Sequence, residues 1–303
     1  MTNLSDLRKS MADLDEVSKS LDQTAKKKFE KPEADQRYWK LSRDEAGNGY
    51  ATIRFLPPPV VDGDNGKLYV QIWDHGFHGP RGRKGPWYIE KSLTTIGLPD
   101  PVSEHNSKLW NSGIESNKDV ARNQKRRLKY HSNILVINDP TNPDNNGKVF
   151  LFAYGKKLYE KIQGVMKPAF ADDPKINPFD FWEGADFKLR IRQGSNDFPT
   201  YEDSKFEAPS PLLGGDEAKL QKIWESEYSL NELVDPKNFK TYDELKASLQ
   251  RVLEIADGGS STAVSDALPR VPANAQKTSI PSVVTTKTAD TTMKSFEELL
   301  AKG

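Results

Sequence analysis

The stretch Lys118–Ile137, KDVARNQKRRLKYHSNILVI, decides how the rest of the chain is read. Between Lys118 and Tyr130 it holds six basic residues (Lys118, Arg122, Lys125, Arg126, Arg127 and Lys129) and a single acid, Asp119. The run ends in Tyr130 and His131, and an apolar segment, Ile134-Leu135-Val136-Ile137, follows at once. Concentrated positive charge and an aromatic ring are thus delivered to the start of a buried strand. Cations for phosphates and flat rings for unpaired bases are what single-stranded nucleic acid requires. Taken alone, such a run is also what a solvated charge cluster looks like, so the rest of the chain has to choose between the two.

Working outward, the flanks alternate in the manner of half-buried strands. Tyr38–Leu41 and Tyr50–Leu56 read as a hairpin around Ala46-Gly47-Asn48-Gly49, stopped by Pro57-Pro58-Pro59. Leu68–Trp73 and Trp87–Ile89 read as strands on either side of His75-Gly76-Phe77 and a basic glycine-rich turn carrying Arg81, Arg83 and Lys84. Ser92 to about Asn117 shows no periodicity and reads as loop. After the turn cluster Asp139–Gly147 come a strand, Val149–Tyr154, and a helix with Leu158, Ile162, Val165 and Met166 on one face and Lys156 and Lys157 at its start. Phe187–Arg192 alternates apolar and cationic, and Phe198 and Tyr201 lie just beyond. Short strands, one intervening helix and no repeating βαβ pattern predict a mainly β fold with added helices: an antiparallel barrel of the OB type.

From Glu202 the character reverses. Residues 202–235 hold nine acids and three lysines. Leu220, Ile223, Trp224 and Tyr228 share a helical face. A second helix starts at a capping box, Thr241 with Glu244, lines its inner face with Leu245, Leu249 and Val252, and is expected to end near Gly258. Residues 258–293 are rich in Ser, Thr, Ala, Val and Pro and read as a disordered linker. The tail, 294–303, carries Phe296, Leu299 and Leu300 at i, i+3 and i+4, a short amphipathic motif suited to a partner's groove. At the other end Leu4, Leu7, Met11, Leu14, Val17 and Leu21 form one helical stripe, with seven bases balancing seven acids over residues 1–33.

Composition sets limits. The 303 residues carry no net charge, 35% are apolar, and the mean hydropathy is -0.74, so a compact core with disordered ends is expected. There is no cysteine, which excludes disulfides, thiolate zinc sites and a cysteine nucleophile. No apolar run approaches the roughly 18 residues of a membrane span and the N-terminus lacks a signal-peptide pattern, so no membrane partner and an intracellular location are expected. No phosphate-binding loop, zincin pair or nucleophile elbow is present. A metal-dependent nuclease could use, for example, Asp62, Asp64 or Asp172 and Asp173, but these sit in polar turns, where acids are common. An RNA-binding regulator stays open, because every base presents a π-face.

The segments EAGNGYATIRFLP (45–57), DHGF (74–77), WYIE (87–90), KRRLKY (125–130), SNILVINDP (132–140), NNGKVF (145–150), GKKLYEKI (155–162), FWEGADFKLRIRQ (181–193) and YEDSKF (201–206) together resemble the single-stranded DNA-binding, helix-destabilising proteins of T-even-like phages. Their joint order covers roughly residues 36–256. The resemblance implies an OB-type core over 36–257 that binds single-stranded DNA cooperatively and with little sequence preference. It also implies work in replication, recombination and repair within the cytoplasm of the infected host, without catalysis. On the matching positions it implies DNA contacts from Lys125, Arg126, Arg127, Lys129, Tyr130, Phe152, Lys156, Lys157, Phe198 and Tyr201, more loosely from Trp110, Arg81 and Arg83. Arg8-Lys9-Ser10, within an arm spanning 1–35, resembles the family's cooperativity motif, through which molecules associate along the strand. The tail would dock phage replication and recombination proteins. The family also holds zinc in a subdomain that corresponds to 87–117 here. Of its ligands only His75 remains; Ser92, Asp100 and Ser103 fall near the cysteine positions, and hydroxyls are poor zinc ligands. No cofactor is therefore expected. His131 stands where the family has an aromatic, and the tail lacks the family's strong acidity.

Overall fold

The computed structural model describes residues 35–194 and 198–254. The chain divides into two compact units, Met1–Tyr38 and Trp39–Gly303, and the sheet belongs to the second. The N-terminal arm with Arg8, Lys9 and Ser10, Gly258 and the linker, and the tail with Phe296, Leu299 and Leu300 lie outside the described residues.

Among these residues eight strands form one curled antiparallel sheet: β1 Gly49–Phe55, β2 Val70–His78, β3 Trp87–Lys91, β4 Arg127–Asn138, β5 Val149–Tyr154, β6 Ala185–Gln193, β7 Pro199–Thr200 and β8 Lys205–Pro209. The decisive stretch supplies β4, the central strand. Its first residues pair with β2 (Asp74 opposite Arg127, Val70 opposite His131). Its middle pairs with β5 (Tyr130 opposite Tyr154, Leu135 opposite Val149), and its end with β1 (Phe55 opposite Ile134, Thr52 opposite Asn138). β2 and β1 therefore follow each other along one edge of β4, and β5 takes the other. β1 continues the sheet into β6, and β6 into β8. Register shifts at Thr52/Ile53 and Ala185/Phe187 are the irregularities that let such a sheet bend. The outcome is the expected antiparallel, half-barrel architecture with helices added.

The concave face holds the main core. Alternation along β4 turns Tyr130, Ile134 and Val136 inward, where they meet Ile53 and Phe55 of β1, Phe152 and Tyr154 of β5, and Phe187 and Leu189 of β6. Helix α3, Lys156–Met166, closes one end with Leu158 and Ile162, as its periodicity predicts. Trp39 is not part of a hairpin strand. It enters the core as a single anchor, its backbone N–H donating to the Leu151 carbonyl (2.9 Å) and its indole N–H to Asp139 Oδ2 (2.9 Å).

A second core lies beyond the β2–β3 hairpin. Here the sequence reading needs correction: residues 92–117 are not loop. They form a 3-10 turn, Leu93–Ile96, then helix α1, Pro101–Asn111, and the start of α2, Glu115–Gln124. The basic run up to Gln124 is thus the body of α2. α1 hides from periodicity because its inward residues are few, but its start is marked chemically. Asp100 caps it by accepting from the N–H groups of Val102 and Ser103, and Pro101 sits at its first position. Phe77, Tyr88, Leu93 and Val102 pack against Leu245, Leu249 and Val252 of helix α5, Tyr242–Leu253. Ile96 joins them, whereas Leu98 is half exposed. Thr241 and Glu244 form the expected capping box. Helix α4, Glu217–Glu225, ends before Tyr228, and its Leu220 packs with Leu56, Leu135 and Phe181 on the convex face.

Candidate nucleic-acid interface

At the open mouth of the curl lies a cleft of about 490 Å³, between the Trp39–Arg43 segment, the start of β4, the end of β5 and β6. Lys40, Arg43, Arg127 and Lys129 contribute cations; Phe152, Tyr154, Ile191 and Tyr201 contribute apolar surface. Tyr201 also lines a smaller hollow with Lys157 and Lys161. Ile191 is shared with a third concavity, which carries Tyr50, Arg190 and Arg192. Three adjoining concavities that share Ile191 and Tyr201 therefore bring rings and cations together, with Asp44, Glu160, Glu202 and Asp203 also on their walls.

The expected site residues are spread over several places. Arg127, Lys129, Phe152 and Tyr201 meet at the cleft, with Lys157 next to it. Lys156 is exposed on α3 and faces Glu160 at 3.7 Å. Phe198 is 76% exposed, between β6 and β7. Lys125 is exposed at the end of α2, and Arg126 lies 4.3 Å over the ring of Trp73. Trp110 is farther along, on α1, under the cations of Lys118 (5.9 Å) and Arg122 (5.3 Å). Arg81 pairs with Glu254 at 2.7 Å in the second lobe. The side chain of Arg83 lies outside the described residues.

Two of the rings are not free. Tyr130 is only 5% exposed; Tyr159 stacks on it at 3.9 Å and 7°, and Tyr154 and Tyr69 flank it. Phe152 is 7% exposed between Trp39, Phe55 and Tyr154. Phe152 lines the floor of the cleft, and Tyr130 belongs to the core beneath Tyr159. The ring that covers Tyr130, Tyr159, is the one sequence reasoning missed, with Tyr69, whose hydroxyl lies 2.8 Å from that of Tyr159. Burial and Tyr69 push Tyr159 up to about 12. GKKLYEKI placed Tyr159 on a helix, but nothing in the spacing of α3 announces that it faces β4.

The cations are also partly spoken for. Asp74 accepts from Arg127 Nε (3.1 Å) and from Lys129 Nζ (2.5 Å). Arg192 pairs with Asp203, and Lys188 with Glu207. His131 is buried, and burial, with Lys129 and Lys91 nearby, holds its imidazole down at about 4, so it is neutral at pH 7.

The residues at the family's zinc positions do come together. His75, on β2 rather than in a loop, is 1% exposed; its Nδ1 lies 3.0 Å from the Gln124 carbonyl and its Nε2 3.3 Å from Asp100 Oδ1. Asp100 Oδ2 accepts from Ser92 Oγ (2.9 Å) and from the Leu93 N–H (3.1 Å). This donor set does not fit zinc. It has one imidazole and no thiolate, every carboxylate oxygen already accepts hydrogen bonds, and no cluster of three metal-ligating side chains exists among the described residues. Asp62, offered by the nuclease reading, is likewise engaged: it accepts from Ser229 Oγ (2.5 Å) and from the N–H groups of Leu230 (2.9 Å) and Asn231 (3.1 Å).

Residues 47–253 match a protein family described as "gp32 DNA binding protein like". The single-stranded DNA-binding protein of Enterobacteria phage T2 is 36% identical over 237 residues, 76% of this chain and 74% of that protein; the protein of the same name from Enterobacteria phage T4 gives the same figures. A single-stranded DNA-binding protein of Escherichia phage SV14 is 40% identical over 82 residues, 26% of this chain and 66% of its own length.

Proposed function

Because the chain belongs to the gp32-like family of DNA-binding proteins, we propose that it binds single-stranded DNA in the groove at the mouth of the curled sheet. The observation that carries this reading is the cleft itself, where Arg43, Arg127 and Lys129 rim a floor of aromatic rings ending in Tyr201. Phosphates would run past the cations, Arg126 and Lys157 included, while bases stack on the more open rings, Tyr201, Phe198 and Tyr159. Tyr130 supports Tyr159 from beneath, and Phe152 lines the cleft together with Tyr201. Such a groove takes any base and demands an unpaired one.

The finer parts of the proposal come from the resemblance. Arg8, Lys9 and Ser10 in the arm mediate association between neighbours along the strand. Phe296, Leu299 and Leu300 dock replication and recombination proteins. The protein protects single strands during phage replication, recombination and repair in the host cytoplasm, without a catalytic step. No helix among the described residues is long and apolar enough to cross a membrane. The deciding experiment is titration with an unstructured DNA strand, its RNA counterpart and a duplex at several salt concentrations. DNA single strands should bind far more tightly than duplex, with log K falling by roughly 0.7 per phosphate neutralised for each unit of log salt. Equal duplex affinity sinks the reading, and an RNA preference turns it toward the RNA-binding alternative.

A further inference from the structure

His75 and Asp100 draw four segments to one point. His75 comes from β2, Ser92 from the start of the 3-10 turn, Asp100 from the first turn of α1, and the Gln124 carbonyl from the last residue of α2. The side chains of His75 and Asp100 are 1% and 0% exposed. The Gln124 carbonyl lies at hydrogen-bond distance from Nδ1, and an Asp100 carboxylate oxygen lies 3.3 Å from Nε2. Asp100 in turn collects the Ser92 hydroxyl and the N–H groups of Leu93, Val102 and Ser103. Those bonds, with His75, hold its carboxyl at about 2 in spite of burial. The arrangement has the topology of a metal cross-link, with one buried centre meeting groups from separate segments, but the centre is an imidazole beside a carboxylate.

We infer that the His75–Asp100 pair cross-links this lobe without metal, and that by holding the Gln124 carbonyl it positions the start of the basic run. The second half follows from chain connectivity. Gln124 is the last residue of α2, and Lys125, Arg126 and Arg127 come directly after it. Where the α2 carbonyl is pinned, the path of those cations into β4 is pinned too. His75 and Asp100 are thus positioning residues, too deeply buried to touch nucleic acid. Only the binding readout below rests on the function proposed above.

The test uses the full chain. The wild type should contain no stoichiometric zinc, and a chelator should leave its melting temperature unchanged. Asp100→Asn keeps the shape and removes the charge; breaking a buried pair in this way should lower the melting temperature by on the order of 10 °C. Hydrogen exchange at residues 120–127 should quicken at least tenfold while β5 and β6 stay protected, and single-strand affinity should fall several-fold. If Asp100→Asn does not fold, His75→Leu, which fills a similar volume but removes the donor to the Gln124 carbonyl, gives the same readings. One zinc per chain, or a chelator-sensitive wild type, overturns the metal-free cross-link. Unchanged exchange at 120–127 in the variant overturns it as well. Faster exchange with wild-type affinity overturns the positioning role. A metal-free, stably folded wild type that ignores single strands refutes the proposed function and leaves the cross-link standing.

Discussion

Single side chains decide how the groove is used. Tyr201 lines two adjoining hollows and Tyr130 is sealed beneath Tyr159, so the two tyrosines should respond differently to truncation. Tyr201→Ala should weaken single-strand binding by about 1–3 kcal/mol if a base stacks there and leave the melting temperature nearly unchanged. Tyr130→Ala should cost roughly 3–5 kcal/mol of stability, as removal of a large core ring does. Parallel titration and thermal melting separate the two effects. The basic run disclosed both its charge and its tyrosine, but burial depends on what lands on top, and Tyr159 comes from a helix 29 positions later in the chain. Glu227 was similarly opaque: it looked like one acid among nine, yet it is 6% exposed with neither oxygen hydrogen-bonded. Burial pushes its carboxyl up to about 9. An acid raised in this way binds a proton in the folded state that the unfolded chain has released. Stability should therefore fall as pH rises from about 4.5 toward 9. Glu227→Gln should remove that slope, which denaturant titrations at pH 5, 7 and 9 would show; an unaltered slope assigns the pH dependence to other groups.

At the scale of elements, legibility followed the number of inward-facing residues. β1, β5, β6 and α3 alternate or repeat over enough apolar positions to announce themselves, and each stands where its pattern put it. α1 and α2 do not, because the groups that hold them are polar: the Asp100 side chain at the start of one, the Gln124 backbone carbonyl at the end of the other. Periodicity counts apolar burial and is blind to that kind of anchoring. The capping box of α5 was legible because it is written locally, three residues apart. It supports the helix that closes the second core, so Thr241→Ala should cost about 1 kcal/mol and a few degrees of melting temperature. Thr241→Ser should restore most of it. A loss confined to a signal from the β2–β3 hairpin, with the barrel unaffected, would show that the two cores melt separately.

For the whole molecule, the architecture was open to reading because neutral total charge conceals a segregated one. Cations gather before β4 and on β6, and acids collect after Glu202. What could not be read was their pairing. Asp74 sits across from Arg127, and Asp203 reaches Arg192, so fewer charges are available to phosphate than a count suggests. The salt slope should accordingly be shallower than the run implies. Arg126→Ala with Arg43→Ala should flatten it further, measured as log K against log salt, while the melting temperature holds. Deleting residues 1–33 should abolish clustering on long strands and spare affinity for a short oligonucleotide. Deletion of 290–303 should weaken partner recruitment and leave that affinity alone.

The three-way pairing of β4 has a consequence for error. An ordinary strand that slips by one residue disrupts one or two ladders and can sometimes be tolerated at an edge. Here a slip between Arg127 and Asn138 would misalign β2, β5 and β1 at once and turn Tyr130 and Ile134 toward the outside. The strand works like a key cut on both edges: a near match engages nothing. A single alanine inserted after Tyr130 should therefore give an insoluble or unfolded chain, with no shifted native-like state to be found in its spectra.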